Sequence, residues 1–239
     1  TGVTLRLGEK VVSIKVIQEG QPSIVEAVLE SGKKIRASSL LYSVGRRGVC
    51  GQLKLENVGV EYDDREKLSV NKNYQTNKKH IYAVGDVIGF PALASTSMEQ
   101  GRLATCHAFG EPTNSMPELF PYGIYTIPEI SMVGKTEKEL TDLGIPYETG
   151  KAQYEEIARG QIIGDDIGML KLIIHQETLQ ILGIHAIGTG ATELVHIGQA
   201  VMAFSGTVDY FINNVFNFPT LAEAYKIAAL NGKNKIKMI

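Results

Sequence analysis

From residue 122 onward the apolar pattern changes period once, and that single change constrains the fold more than any other feature. Strand-length runs come first, at residues 122–126, 129–133, 147–154, 169–174 and 181–187, and helix-length patterns follow at 191–204, 208–213 and 221–230. Strands segregated from helices specify an antiparallel sheet covered by helices, an α+β arrangement, and not the alternating βα units of a parallel sheet. Two local signals support the reading. Thr136-Glu137-Lys138-Glu139 is a capping box that opens a short helix. Residues 176–180 form a polar turn between the last two strands.

The part before residue 122 has a different texture. Residues 11–16, 24–29 and 40–44 are short apolar or alternating runs, separated by polar turns at 19–22 and 30–33. The third is expected to be a buried strand halted by Val44-Gly45-Arg46-Arg47-Gly48. A turn is expected at 62–65. Ile81-Tyr82-Ala83-Val84-Gly85-Asp86 then reads as a second buried strand, running into Gly-Asp. After a loop at 87–91, Leu93, Met98, Leu103 and Ala104 recur at helical spacing. Residues 111–121 carry Pro112, Pro117 and Pro121 in a polar stretch, the composition of an interdomain linker.

Composition narrows the function classes. The net charge is -2 and the basic residues are scattered, so there is no basic stripe of the kind nucleic-acid binders present. No apolar run approaches the roughly 20 residues that cross a bilayer. The first residues have neither a basic region nor an apolar signal core. Cys50 and Cys106 lie far apart in no Cys-x-x-Cys motif, so neither a disulfide framework nor a zinc site is expected, and a cytoplasmic location is. No two of the five histidines share a helix at metal-ligand spacing; they are expected to be surface or satisfied core residues. Cys106 is expected to be a small buried apolar group, and the pairs Lys33-Lys34 and Lys78-Lys79 to be solvated turns. The chain begins without Met and directly on strand-like alternation, as a fragment would.

Gly188-Thr-Gly190-Ala-Thr-Glu193 stands between a strand and a helix, the setting of a dinucleotide fingerprint. The third glycine is missing. Glu193 would also point charge at a pyrophosphate, so the segment reads as a glycine-rich turn with an acid in the first helical turn. Gly85-Asp86 is more promising. A glycine at the end of a strand lets a ligand approach the backbone. The adjacent carboxylate accepts from a hydroxyl, and the following helix offers N–H groups and a positive dipole end.

Four segments, in order, carry a family resemblance. The stretch 81–101, with Gly85-Asp86 and Ala92-Leu93-Ala94, is similar to the second flavin-binding motif of the pyridine nucleotide-disulfide oxidoreductases. Leu41-Tyr-Ser-Val-Gly-Arg-Arg47 resembles the motif closing their NAD domain. Ile124-Tyr-Thr-Ile-Pro-Glu-Ile-Ser-Met-Val-Gly134 resembles the opening of their dimerisation domain, and Phe218-Pro219-Thr220-Leu221-Ala222-Glu223 its closing motif. The resemblance implies C-terminal remnants of Rossmann-like NAD- and FAD-binding domains, at 1–47 and 48–112, followed by an α+β dimerisation domain at 113–239. It implies that Gly85, Asp86, Ala92, Leu93, Ala94, Ser95, Phe218 and Pro219 meet FAD, Asp86 through the ribityl chain, and that Gly45 and Arg46 meet NAD. It also implies a homodimer through 113–239, with nicotinamide nucleotides as substrates and neither site complete in this chain.

One departure selects the reaction. In disulfide-reducing members such as dihydrolipoamide dehydrogenase, the residue before the proline of the closing motif is a histidine that serves the thiol pair as acid/base. A glutamate five residues later orients it. Here that position is Phe218, which transfers no proton. Glu223 remains, but Thr220-Leu-Ala-Glu223 also reads as a capping box, and the structural role is expected. Without the histidine, chemistry is expected to stop at the flavin: hydride passes between NADPH/NADP⁺ and NAD⁺/NADH through FAD. A disulfide reductase fragment, or a dimerisation module with no catalysis of its own, are the alternatives.

Overall fold

The computed structural model describes residues 2–21 and 23–236. The chain divides into two compact units, Thr1–Gly48 and Val49–Ile239.

The first unit is a three-stranded antiparallel meander, β1 (Val11–Gln18), β2 (Ile24–Leu29) and β3 (Lys34–Ala37). The expected turn at 30–33 closes the second hairpin: Leu29 N–H donates to Lys33 O, and Gly32 takes φ +81°, a conformation that favours glycine. Glu26 stands opposite Arg36 in the register and accepts from its Nε at 2.9 Å, with Lys34 at 3.5 Å. This cross-strand pairing explains why Lys34, expected in a turn, instead begins a strand. Pro22, in the other expected turn, lies outside the described residues. Residues 40–44 were expected to form a buried strand and do not. They pair with no strand among the described residues, and Leu41 is 91% exposed. An apolar run becomes a buried strand only where neighbouring strands supply the ladder and layers cover both faces.

The second unit opens with a small core of Cys50, Val60, Leu68 and Ala83, supported by Leu55, Val70, Ile81, Val87 and Ile88. Its chain is mostly turns. The turn at 62–65 forms, with Asp63 Oδ1 accepting from the N–H groups of Arg65 and Lys67. Residues 81–84, expected as a buried strand, form no strand and are paired, among the described residues, only through the Gln75–Tyr82 bridge. Helix α1 follows at Ala94–Ala108. Its buried positions, Thr96, Gln100, Leu103 and Ala104, keep helical spacing. Met98, expected on that face, is exposed, because, two residues from both Thr96 and Gln100, it lies on the far side of the helix.

Beyond the irregular stretch 111–121 stands a five-stranded antiparallel sheet of order β4-β5-β8-β7-β6. Its strands are β4 (Tyr122–Ile124), β5 (Ile130–Gly134), β6 (Tyr147–Gln153), β7 (Met169–His175) and β8 (Ile181–Ile187). Helix α2 (Glu137–Asp142) carries the expected capping box: Glu139 N–H donates to Thr136 Oγ1 at 3.2 Å, and Thr136 N–H donates to Glu139 Oε2 at 2.7 Å. Helix α3 (Ala158–Ile163) was not foreseen. Helices α4 (Ala191–Ala203), α5 (Val208–Asn213) and α6 (Glu223–Ile236) complete the unit, with α4 over β5 and β8 and α6 over β6 and β7. Leu170, Leu172, Ile174, Ile184 and Ala186 point from the sheet into the core, where Val195, Phe211, Tyr225 and Ala228 meet them.

Two glycines set the closeness of this packing. A Cβ on Gly150 of β6 would fall on the Ala228 carbonyl oxygen and lie 2.9 Å from Gly232 N, so α6 crosses β6 backbone to backbone. A Cβ on Gly198 of α4 would fall on Ile184 Cδ1 and lie 2.8 Å from the Tyr225 hydroxyl. That hydroxyl donates to Leu194 O at 2.8 Å and accepts from Gly198 N–H at 3.1 Å. It is therefore inserted into one rung of the α4 ladder, between a carbonyl and the N–H four residues on.

Candidate functional site

The candidate site is the junction between Gly85-Asp86 and the start of α1. Val84 is extended, and Gly85–Ile88 then make one 3-10 turn. Gly85 has φ +79°, and its N–H donates to the buried Gln100 Oε1 at 2.7 Å. A Cβ on Gly85 would lie 3.1 Å from Ser97 Oγ and 3.3 Å from Ser97 Cβ. Conformation and space thus both favour glycine, and Gln100 and Ser97 of α1 fix the Gly-Asp turn against the helix. Asp86 is on the outside of this turn and exposed.

The entry to α1 is held from within. Thr96 Oγ1 donates to Pro91 O and Leu93 O, both at 2.9 Å, and Ser97 Oγ donates to Leu93 O at 2.8 Å. Leu93 is the N-cap and makes no side-chain capping bond. The N–H groups of Ala94 and Ser95 precede any intrahelical acceptor, and both residues are exposed. Their end of the helix borders a cleft of about 390 Å³ that Leu93 and Met98 share with Tyr125, Ser131, Thr192 and His196. Chemically, the junction offers a carboxylate acceptor beside an uncapped positive helix end.

Of the residues expected at a nucleotide, the fold brings together Gly85, Asp86, Ala92, Leu93, Ala94 and Ser95. Phe218 and Pro219 are exposed on the loop between α5 and α6. Gly45 and Arg46 belong to the first unit, where Gly45 has φ +114°. Gln100 and Ser97 were missed from the sequence. Their only signal was a polar residue on the core-facing stripe of α1, which fixes position but not partner.

Glu223 departs from expectation. The capping box does not form, because Thr220 Oγ1 donates to Asn217 O at 2.7 Å and α6 begins at Glu223 itself. Glu223 Oε2 is buried without a hydrogen-bond partner among the described residues. The glycine turn at 188–193 is structural, as expected. Gly190, at φ +69°, caps α4, and Glu129 Oε2 accepts from the Oγ1 and N–H of Thr192 at 2.6 and 3.2 Å, filling that helix end with a carboxylate of the chain. Hydrogen bonding from the Thr192 hydroxyl, then its N–H, holds the Glu129 carboxyl below the usual carboxylate range. Burial pushes the Cys50 thiol up, and the nearby Glu66 carboxylate adds to the shift. Cys106 is half-buried rather than buried.

Comparison with known proteins gives the family. Residues 1–101 match the pyridine nucleotide-disulphide oxidoreductase domain, and residues 120–229 match the dimerisation domain of the same proteins. The chain belongs to the pyridine nucleotide-disulphide oxidoreductase family. It is 55% identical over 237 residues to the soluble pyridine nucleotide transhydrogenase of Mycobacterium bovis (strain BCG / Pasteur 1173P2), covering 99% of this chain and 50% of that protein. It is 50% identical over 240 residues to the soluble pyridine nucleotide transhydrogenase of Escherichia coli O6:K15:H31, covering 99% and 51%. The chain thus spans about half the length of the curated relatives it matches. Among solved structures, LpdA from Mycobacterium tuberculosis superposes with a TM-score of 0.81 at 25% identity, over 96% of this chain and 49% of that one. The HOCl-induced flavoprotein disulfide reductase RclA from Escherichia coli shares the fold, with a TM-score of 0.79 at 24% identity, over 86% of this chain and 48% of that one. No helix among the described residues is long and apolar enough to cross a membrane.

Proposed function

We propose that this chain forms part of a flavoenzyme that exchanges hydride between NADPH/NADP⁺ and NAD⁺/NADH through FAD, and that the chain alone is inactive. The observation that carries the reading is Phe218. It precedes Pro219 in the closing motif, is 68% exposed, and has no group able to take or give a proton. Hydride exchange between two nicotinamides requires no such group, whereas dithiol–disulfide exchange does. The identity of 50–55% to soluble pyridine nucleotide transhydrogenases supports the same reaction.

The Gly85–Ser95 junction suits the ribityl and pyrimidine side of a flavin. The backbone at Gly85 carries no Cβ, Asp86 offers an exposed acceptor for a ribityl hydroxyl, and the N–H groups of Ala94 and Ser95 present the positive end of α1 to the ring. When bound, FAD supplies the two-electron relay between the nucleotides. The protein residues bind and orient it, and the uncapped helix end favours negative charge on the pyrimidine edge. Phe218 and Pro219 complete the flavin contacts, and Gly45 and Arg46 contact NAD. The corresponding divisions are an NAD-domain part at 1–47, an FAD-domain part at 48–112 and a dimerisation domain at 113–239. The enzyme is a cytoplasmic homodimer through that last domain.

The test uses a longer protein that contains this chain and both nucleotide fingerprints. Purified, it should show flavin absorption bands, and NADPH should drive formation of NADH from NAD⁺. A flavin-loaded protein that produced no NADH would sink the reading. The 239-residue chain alone should show no flavin bands.

A further inference from the structure

Helix α1 turns polar side chains inward, the reverse of an ordinary amphipathic helix. Of its four buried positions, Thr96 and Gln100 come first, one turn apart and each 2% exposed; only Leu103 and Ala104 beyond them are apolar. A buried polar side chain costs stability unless it is hydrogen-bonded, so the bonds these two make locate their role.

Both hold the loop 85–93. At its start, Gln100 Oε1 accepts from Gly85 N–H at 2.7 Å. At its end, Thr96 Oγ1 donates to Pro91 O and Leu93 O, both at 2.9 Å. Between them Ser97 Oγ donates to Leu93 O at 2.8 Å and stands 3.1 Å from where a Cβ on Gly85 would lie. The middle of the loop is tied elsewhere, through Leu68 N–H donating to Val87 O at 2.9 Å.

A loop bonded at one end can hinge about it. This one is bonded at both ends to adjacent turns of one helix. Asp86, near its start, and the Ala94 and Ser95 N–H groups, just past its end, are therefore held at a fixed separation. A ligand that touches both gains from finding them already placed. We infer that Gln100 and Thr96 are positioning residues for the flavin. Buried beneath the loop, they act through it, holding Asp86 and the start of α1 at the separation that the ribityl chain and the pyrimidine edge span. The inference rests on the flavin reading above and names the side chains that build that seat.

FAD titrated into the deflavinated longer protein gives a Kd, and melts of the same apoproteins report their folding. Gln100→Met keeps the length but lacks the acceptor. It should raise the FAD Kd at least about tenfold, because a relaxed turn must be re-formed on binding. Gln100→Glu keeps an acceptor oxygen and should stay within about threefold of wild type. Thr96→Val should raise the Kd about three- to tenfold and Thr96→Ser should restore it, a comparison that stands even where Gln100→Met fails to fold. Leu103→Ala, on the same buried face but unable to bond the loop, should lower Tm and leave the Kd within about threefold. Asp86→Asn should raise the Kd at least about tenfold in wild type but less than about threefold in Gln100→Met, where the carboxylate is already misplaced. Wild-type affinity in both Gln100→Met and Thr96→Val would overturn the positioning role and leave the flavin reading intact. So would a Leu103→Ala protein that loses as much affinity for the same fall in Tm, or an Asp86→Asn effect equal in both backgrounds. A wild-type longer protein that binds no FAD would overturn both.

Discussion

Gly150→Ala should be among the most damaging one-methyl changes in this protein. The added Cβ would fall on the Ala228 carbonyl oxygen and within 2.9 Å of Gly232 N, both backbone atoms of α6. No side-chain rotation relieves that clash. Relief requires α6 to move away from β6 by more than about 1 Å to reach ordinary contact distance. The retreat loosens Ala224, Tyr225, Ala228 and Ala229, all fully buried against the sheet. Overpacking in a core typically costs about 1–3 kcal/mol, and a clash fixed by backbone on both sides belongs at the upper end. In a domain of this size about 3 kcal/mol corresponds to a fall in Tm of roughly 6–12 °C. Differential scanning calorimetry reads this directly. The control is Gly101→Ala in α1, where a new Cβ meets nothing within 4 Å. It should stabilise by about 0.5–1 kcal/mol through helix propensity alone. Equal melting temperatures for Gly150→Ala and wild type would refute the packing argument.

Three further outcomes follow from the same contacts. Tyr225→Phe should cost about 1–2 kcal/mol, read as a shift in urea midpoint, because Leu194 O and Gly198 N–H lose the inserted hydroxyl; an unchanged midpoint would mean that α4 simply closes its own rung. Glu129 has its carboxyl held low by the Thr192 hydroxyl and N–H, so its contribution is present above the unfolded carboxylate value and is lost as pH falls through the lower folded value; Glu129→Gln should flatten this part of the acid-unfolding curve, and a curve identical to wild type would count against the cap. Burial depresses the His185 imidazole, with the Lys135 carbonyl partly opposing, so stability should decline as pH drops below about 6.5; His185→Gln should remove that decline in pH-dependent melts, and its persistence would place the titration elsewhere.

What the sequence made legible was local. The bounds of β8 and α5 agree residue for residue with the periodic runs at 181–187 and 208–213, and the Thr136–Glu139 box forms as read. Each depends on periodicity or on bonds spanning three residues. The failures depend on contacts that distant segments supply. Among the described residues, 40–44 are apolar enough for a buried strand but have no neighbour strand to pair with, and 81–84 make only a bridge. Helix α3, six residues long, has too few turns for a period and is specified by the close seat of Gly160 on Tyr154. At the candidate site, Gly85-Asp86 was legible because a glycine with an acid after an apolar run is a local signal. Gln100 was not, because its partner, the Gly85 N–H, is fifteen residues away. The Thr220 box was misread because the motif permits two local bonds, and the hydroxyl takes Asn217 O instead.

The proposed hydride exchange rests on Phe218, which stands before Pro219 where a disulfide reductase carries its proton-transferring histidine. The most direct measurement is a comparison of two rates in one longer, flavin-loaded protein containing this chain. NADPH-driven reduction of NAD⁺ should proceed while NADH-driven reduction of lipoamide stays at background. Lipoamide reduced as fast as NAD⁺ would contradict the claim.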